Sequence, residues 1–388
     1  FTRVVREDPK RKDLLYAGTE KGIYLSWNGG KSWEPFQLNL PPSPITDLKV
    51  HRGNLVVATS GRSFWILDDL ATLHQYNKAS EATVIYKPAD TYNGSWYSRM
   101  SGNIDDFDGS TDFVGVNPAS GMVLYYELPK GLDSIPISLE IKDANGKPIR
   151  SFSSEKDADY KPHNGGGPPP APRLSKKAGL NRFVWDLRTD LLPGIPGVYM
   201  EAGFRGHVVP PGEYSLTLKL VDETKNAMGK VIPNPHFETK EGQYGEYHDF
   251  MTQMENTLTE MHNKVNTLYE AQNQLKSVLK GLEDEDLKST GKELLNKMDA
   301  WDKKMVQRKS MAYDDVENFP NKFTAEYLFL IDATNSSIPR VNKSSRDRKT
   351  ELDAQWKPLK AAAEELMKTA IPDFNKKLWE SGIGAIRL

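Results

Sequence analysis

Residues Ser26-Trp27-Asn28-Gly29-Gly30-Lys31-Ser32-Trp33 form a compact polar segment directly after the apolar run at 22–26. The short side chain of Asn28 can accept hydrogen bonds from nearby main-chain N–H groups, because Asn and Asp favour such local turns. Gly30 can adopt a positive φ at no steric cost, and the ring of Trp33 can pack beneath the turn. The segment therefore predicts a hairpin turn with a structural role, stabilised by Ser26, Asn28, Gly30, Ser32 and Trp33.

Short apolar runs recur on both sides of this turn, at residues 14–17, 22–26, 45–50, 55–59 and 64–67. Runs of this length between turn residues predict consecutive β-strands. From about residue 83 to 237 the runs are longer and alternate, which is typical of half-buried antiparallel strands; one example is Tyr214, Leu216, Leu218 and Leu220. These later runs predict a β-sandwich of about 150 residues.

Residues 160–173 interrupt the sandwich with three consecutive glycines and three consecutive prolines. Such a segment cannot hold a strand ladder, so it predicts a loop of the disordered type. Two interpretations stay open, a plain surface loop and a proline-rich ligand for a partner.

Beyond Gly245 the spacing of apolar residues changes to threes and fours, which predicts helices. The first such stripe consists of Met251, Met254, Leu258, Met261, Val265, Leu268, Leu275, Leu279 and Leu282. Three further stripes follow before the end of the chain, and together they predict a helical bundle. The methionines either fill its core or line a peptide-binding groove.

The overall composition excludes several kinds of partner and site. Lys and Arg number 51 and Asp and Glu 53, so a formal charge of −2 gives no electrostatic case for nucleic acid. No run approaches the roughly 20 apolar residues of a membrane span. Cysteine is absent, which excludes disulfides and thiolate metal sites.

Residues 26–33 resemble the Asp-box of bacterial neuraminidase repeats, with Asn28 in the Asp position and Ser32 in the Thr position. Residues 57–70, 115–118, 124–126 and 178–188 resemble the C-terminal half of large secreted bacterial BNR-repeat or sortilin-like proteins of the glycosyl-hydrolase-like family. The resemblance implies the last one or two blades of a β-propeller at 1–75, an immunoglobulin-like β-sandwich at 76–240 and an α-helical bundle at 241–388.

One or two blades cannot close a ring, because propellers need roughly four to eight of them. The resemblance therefore implies an upstream propeller segment as a partner, either in the same polypeptide or as a separate chain. It also implies an extracytoplasmic location, in the periplasm, at the outer-membrane surface or secreted.

Candidate ligand-binding residues are Arg62, Trp96 and Tyr97. Arg62 either faces the centre of the propeller or pairs with Asp68 or Asp69. Trp96 and Tyr97 either stack on sugar rings or seal a contact between two domains. No catalytic residue is predicted; if the intact protein is an enzyme, the resemblance implies a glycoside hydrolase whose catalytic residues lie mostly outside this chain.

Four carboxylates surround Gly109, namely Asp105, Asp106, Asp108 and Asp112. They resemble a Ca²⁺-binding loop, although a bidentate Glu at the twelfth position is missing. Asx-turns in a solvated loop explain the pattern equally well. No other cofactor is predicted, and the seven histidines show no closely spaced pair that would indicate zinc.

Two functions are therefore predicted. The first is the non-catalytic C-terminal part of an extracytoplasmic propeller protein of the sialidase type that acts on or binds glycans. The alternative is a sortilin-like scaffold that binds a peptide or an envelope protein and has no enzymatic activity. The long methionine-rich helical region favours the alternative.

Overall fold

The computed structural model describes residues 1–77, 82–94, 118–132, 134–163, 166–236 and 238–388. The chain divides into two compact units. The sheet unit comprises Phe1–Glu155, Arg173–Leu187 and Pro211–Asn234. The helix unit comprises Lys156–Pro172, Arg188–Pro210 and Pro235–Leu388. The predicted limits at residues 75 and 240 stay predictions.

The sheet unit begins with two antiparallel sheets made of strands that are consecutive along the chain. The first, in the order β1-β2-β3-β4, consists of β1 (Thr2–Glu7), β2 (Leu15–Thr19), β3 (Gly22–Ser26) and β4 (Glu34–Pro35). The second, in the order β5-β6-β7, consists of β5 (Ile45–His51), β6 (Asn54–Thr59) and β7 (Phe64–Leu67). The short helix α1 (Ala71–Gln75) follows.

These strands and α1 are packed around one hydrophobic core. Its buried residues are Val4, Leu14, Tyr16, Ile23, Leu25, Leu40, Ile45, Leu48, Leu55, Val57 and Leu70. The two sheets approach closely at Gly18, where a Cβ atom would lie 2.6 Å from Cγ2 of Ile45 and 2.7 Å from Cγ1 of Val4. Only glycine fits there without a shift of the neighbouring side chains.

A buried carboxylate, Asp8, joins α1 to the first sheet. It accepts hydrogen bonds from the main-chain N–H groups of Lys10 and Arg11, from the hydroxyl of Tyr16 at 2.8 Å and from Nε2 of His74 at 2.9 Å. Burial acts to raise the pKa of Asp8, but these four hydrogen bonds together hold it below its usual value. The ionised side chain is therefore a structural anchor.

The remaining strands of the sheet unit are shared between two more sheets. Their bounds are β8 (Val84–Ile85), β9 (Thr91–Tyr92), β10 (Met122–Leu128), β11 (Ser138–Lys142), β12 (Pro148–Ser153), β13 (Gly179–Trp185), β14 (Gly212–Lys219) and β15 (Thr224–Ile232). One sheet has the order β13-β10-β8 and the other β12-β11-β14-β15-β9. The five-stranded sheet is mixed, because β9 runs parallel to β15.

The fold class predicted from the sequence is wrong. The first two sheets pack around one common core, so each covers the buried face of the other, whereas propeller blades need neighbouring blades to cover them. An immunoglobulin-like sandwich has two antiparallel sheets, whereas the five-stranded sheet here is mixed. The helices share their compact unit with two segments from the middle of the chain, which the predicted order of modules did not include. The physical reason is that alternation shows which residues face a core but not which strands pair.

The helix unit contains six α-helices among the described residues. They are α2 (Gln243–Gly281), α3 (Glu285–Met305), α4 (Asp315–Asn318), α5 (Phe323–Asn335), α6 (Lys343–Glu365) and α7 (Ile371–Glu380), with a π-helical turn at Leu366–Ala370. Side-chain caps begin two of them: Asp284 accepts from the N–H of Leu287, and Asn342 from that of Ser345. No helix in the described part of the chain has both the length and the apolar content that a membrane crossing requires.

The core of the helix unit includes residues from outside the helices. All nine apolar residues of the first predicted stripe are buried in it. Five further members come from the segment Arg188–Pro210, namely Leu192, Ile195, Val198, Met200 and Phe204. This segment therefore contributes directly to the packing of the helices.

Candidate functional site

The turn at residues 26–33 is held by its own side chains. The N–H of Gly30 donates to Oγ of Ser26 at 2.9 Å, and the N–H of Ser32 donates to Oδ1 of Asn28 at 2.9 Å. Nδ2 of Asn28 donates to Oγ of Ser32 at 2.8 Å, and Nε1 of Trp33 donates to the carbonyl of Gly30 at 3.1 Å. Gly30 has a φ of +85°, as this turn requires. These polar groups are engaged in stabilising the turn.

Strand β7 combines an unpaired edge with exposed apolar side chains. It lies at the end of its sheet, and within the described residues no strand pairs with its outer side. Phe64 is 76% exposed and Ile66 is 58% exposed, while Trp65 and Leu67 pack against the core. One face of the strand therefore presents two large apolar side chains to solvent.

The hydrogen-bond pattern shows which main-chain groups of β7 point outward. The N–H of Thr59 donates to the carbonyl of Ser63, and Val57 lies opposite Trp65 in the ladder. Hydrogen-bonded pairs alternate along an antiparallel ladder, so the N–H and C=O groups of Trp65 and Leu67 face β6. Those of Phe64 and Ile66 consequently point away from it. We call these outward-facing main-chain groups, together with the side chains of Phe64 and Ile66, the β7 edge.

Opposite charges lie at the two ends of the β7 edge. Arg62 precedes it in a turn, where its N–H donates to Oγ1 of Thr59 at 3.1 Å, and its side chain is exposed. Asp68 and Asp69 follow it, and burial together with the charge of Asp69 raises the pKa of Asp68. Within the described residues no ion pair joins Arg62 to Asp68 or Asp69, the pairing considered from the sequence. A ligand-binding role for Arg62 stays a prediction.

The other predicted site residues cannot be placed. Trp96 and Tyr97, and the four carboxylates Asp105, Asp106, Asp108 and Asp112, lie outside the described residues. Among the residues that are described, no group of three or more His, Cys, Asp or Glu side chains could hold a metal ion. The predicted Ca²⁺ site stays a prediction.

The helix unit contains a chain of titratable side chains that the sequence analysis missed. His207 is 1% exposed and contacts Glu255 of α2 twice. The main-chain N–H of His207 donates to Oε1 of Glu255 at 2.7 Å, and the ring Nδ1 of His207 lies 2.8 Å from Oε2. Nε2 of His207 lies 2.7 Å from Nδ1 of His248, also on α2. Thr189 donates a further hydrogen bond to Glu255 at 3.3 Å. We call Glu255, His207 and His248 the histidine chain.

The chemistry of the histidine chain follows from its donors and acceptors. An ionised Glu255 can only accept, so Nδ1 of His207 must carry a proton. The 2.7 Å contact between the two rings then holds one proton, which belongs either to Nε2 of His207 or to Nδ1 of His248. With the proton on either nitrogen, the other nitrogen accepts the hydrogen bond between the rings. If both nitrogens carried a proton, two N–H groups would face each other and no hydrogen bond could form. The chain can therefore share one proton between the two rings without a change in geometry.

The spacing of residues on α2 was the available signal for this cluster. His248 and Glu255 are seven residues apart, which places them on one face of a helix two turns apart. His207 is 48 positions from Glu255 along the chain, so no local pattern connects it to α2. Only the docking of the segment Arg188–Pro210 brings the three residues together.

No protein-family model, no curated protein and no solved structure matches this chain. The resemblance to secreted BNR-repeat or sortilin-like proteins therefore stays a prediction.

Proposed function

We propose that this chain is a protein-binding scaffold and that the β7 edge is its docking element. An extended segment of a protein partner would add to the sheet next to β7 and continue its ladder, a common mode of peptide recognition. The observation that supports this concerns Phe64 and Ile66: their side chains are exposed, and no strand of the described part of the chain pairs with their outward-facing main-chain groups.

The two edges of the same sheet differ in a way that favours this function. Soluble proteins protect exposed edges with charged side chains and bulges. At the opposite edge, β5 carries exposed Asp47 and Lys49, and its register shifts between Ile45 and Asp47. The β7 edge carries Phe64 and Ile66 instead, and its ladder is regular. Among the strands that the structure describes, one edge of this sheet is protected and the other is open to pairing.

The chemistry of the edge defines a partner segment. Apolar side chains at alternate positions would contact Phe64 and Ile66, because directly opposed residues share a face of a sheet. An acidic residue at one end would lie near Arg62, and a basic residue at the other end would lie near Asp68 and Asp69. A short strand of alternating apolar residues with opposite charges at its ends fits this description.

A phage-displayed library of unstructured peptides, selected on the immobilised full chain, tests the proposal. We expect enrichment of alternating apolar peptides on the wild type and none on the double variant Phe64→Asp/Ile66→Asp, since a buried, unpaired carboxylate opposes docking. Val221→Asp is the matched control, because Val221 is 71% exposed but lies outside the strands. Absence of enrichment on the wild type, or equal enrichment on the double variant, would contradict the proposal.

The glycan-binding alternative and the extracytoplasmic location stay predictions. The glycan hypothesis depends on Trp96 and Tyr97, which lie outside the described residues. The predicted upstream segment and an envelope protein would each compete with library peptides at the β7 edge if either supplies the partner strand.

A further inference from the structure

The β7 segment is complementary to itself when it is reversed. It reads Arg62-Ser63-Phe64-Trp65-Ile66-Leu67-Asp68-Asp69, with a cation at one end, two anions at the other and apolar residues between them. Antiparallel alignment with a second copy places each arginine near the two carboxylates of the other copy. Because Asp68 and Asp69 repel each other, a nearby guanidinium would be favourable for both.

The outward-facing main-chain groups select the register of such a pair. The main-chain N–H and C=O groups of Phe64 and Ile66 face away from β6, because Thr59 and Ser63 form a hydrogen-bonded pair in the β6–β7 ladder. A two-fold axis at Trp65 sets Phe64 of one copy opposite Ile66 of the second copy, and the reverse. Each of these pairs can exchange two hydrogen bonds. If the register shifted by one residue, the outward-facing N–H and C=O groups of one copy would lie opposite residues whose N–H and C=O groups face β6. No main-chain hydrogen bond would then form between the two copies.

The side chains agree with the same register. Directly opposed residues lie on one face, so the two Phe64 and two Ile66 side chains would form one apolar cluster across the axis. The two Trp65 residues would be opposed on the other face. A contact of this kind is isologous, since the same patch is used on both copies and the pair closes without further growth.

We propose that two copies of this chain associate through antiparallel pairing of their β7 edges, which makes a continuous six-stranded sheet from two three-stranded ones. This inference rests on the proposed function, because it names the partner strand as β7 of a second copy. An interface limited to one short strand is small, and interfaces of that size are weak and transient.

Sedimentation equilibrium of the full chain over a wide range of concentration tests the inference. The mass is expected to rise from 43.7 kDa towards twice that value. Arg62→Glu alone and Asp68→Lys/Asp69→Lys alone should each raise the Kd for self-association about tenfold or more, because the repulsive contact occurs twice by symmetry. An equimolar mixture of the two variants should restore association. Lys49→Glu, on the exposed face of β5, is the matched control and should leave the Kd unchanged.

Hydrogen exchange on the unmodified chain gives a second measurement that needs no variant. The amides of Phe64 and Ile66 should exchange more slowly as the concentration rises, while the amide of Val221 should not change. A wild type that stays at 43.7 kDa throughout would overturn the inference. A dimer that is insensitive to all the charge changes, and that leaves these two amides unprotected, would also overturn it.

The outcomes separate the two proposals. A monomeric wild type that still enriches library peptides, and loses them in Phe64→Asp/Ile66→Asp, would overturn the pairing of two copies but support strand addition by another protein. A monomer that enriches no peptide would contradict both.

Discussion

His262 shows what burial does to a single titratable side chain. It is fully buried on α2, and its Nδ1 lies 2.6 Å from the carbonyl oxygen of Pro193. A carbonyl can only accept, so Nδ1 carries the proton. Nε2 is buried without a hydrogen-bond partner in the described residues, which disfavours a second proton. Burial accordingly lowers the pKa of His262 to about 4, although the hydrogen bond to Pro193 acts in the opposite direction.

This depressed pKa predicts a loss of stability in weak acid. Between about pH 6.5 and 4 the unfolded chain binds a proton at His262 that the folded chain does not, so the free energy of unfolding falls as the pH is lowered through this window. By pH 4, this titration lowers the free energy of unfolding by about 3 kcal/mol. Urea denaturation at several pH values should show a shallower pH dependence for His262→Gln than for the wild type. His51→Gln, at an exposed position, is the control and should keep the wild-type slope.

At the scale of a helix, two faces of α2 make different contacts. Its apolar stripe contributes to the core, and the face that carries His248 and Glu255 holds the segment containing His207. Tyr247 of the same helix packs edge-on against His207 and donates to Oδ1 of Asn335 on α5 at 2.9 Å. Tyr247 therefore contacts both His207 and α5.

We expect Glu255→Ala to destabilise the chain by about 2–5 kcal/mol, because it leaves the N–H and Nδ1 of buried His207 without an acceptor. Glu270→Ala on the same helix is the matched control, since Glu270 is exposed and its ion pair with Lys161 is long, at 3.7 Å. That control should change stability by less than about 0.5 kcal/mol. Equal losses in the two variants, measured by urea denaturation, would show that the histidine chain has no special structural role.

Glu255→Gln makes a separate prediction about protons. The amide nitrogen of Gln would donate to Nδ1 of His207, so the ring would have to carry its proton on Nε2 instead. The nitrogen chemical shifts of His207 should therefore change from those of the Nδ1–H tautomer in the wild type to those of the Nε2–H tautomer in Glu255→Gln. An unchanged tautomer would contradict the hydrogen-bond directions assigned above.

At the scale of the whole molecule, the two units are interleaved along the chain. The helix unit takes Lys156–Pro172 and Arg188–Pro210 from the middle of the sequence. The second of these supplies five core residues, including Ile195, Met200 and Phe204. Each unit is thus assembled from three separate segments.

A fragment of residues 241–388 should therefore fail to fold cooperatively. Without the segment Arg188–Pro210 it exposes the apolar surface that Leu192, Ile195, Val198, Met200 and Phe204 cover. We expect a broad thermal transition and strong binding of an apolar dye. A sharp transition in this fragment would show that the helices do not need the segment Arg188–Pro210.

Local structure could be predicted from the sequence, but pairing over long distances could not. The runs at 22–26 and 64–67 coincide with β3 and β7, because turn residues on both sides mark their ends. The apolar stripe from Met251 to Leu282 is buried, since its spacing matches one helix face. In contrast, β9 has only two residues and gives no local signal, so its parallel pairing with β15 was not predicted.

The same limit applies to the candidate site. The charge and exposure of Arg62 follow from its position in a polar turn, but the open edge of β7 depends on which strands the sheet contains. The histidine chain depends on a contact between residues 48 positions apart.

The interleaving of the two units has a consequence for synthesis on the ribosome. Arg188–Pro210 emerges well before the C-terminal helices that will cover it. At about 5–20 residues per second, Ile195 and Phe204 wait roughly ten to forty seconds for α7 to be translated. During that interval the apolar side chains of these two residues are available to chaperones, because the helices that will cover them have not yet been made.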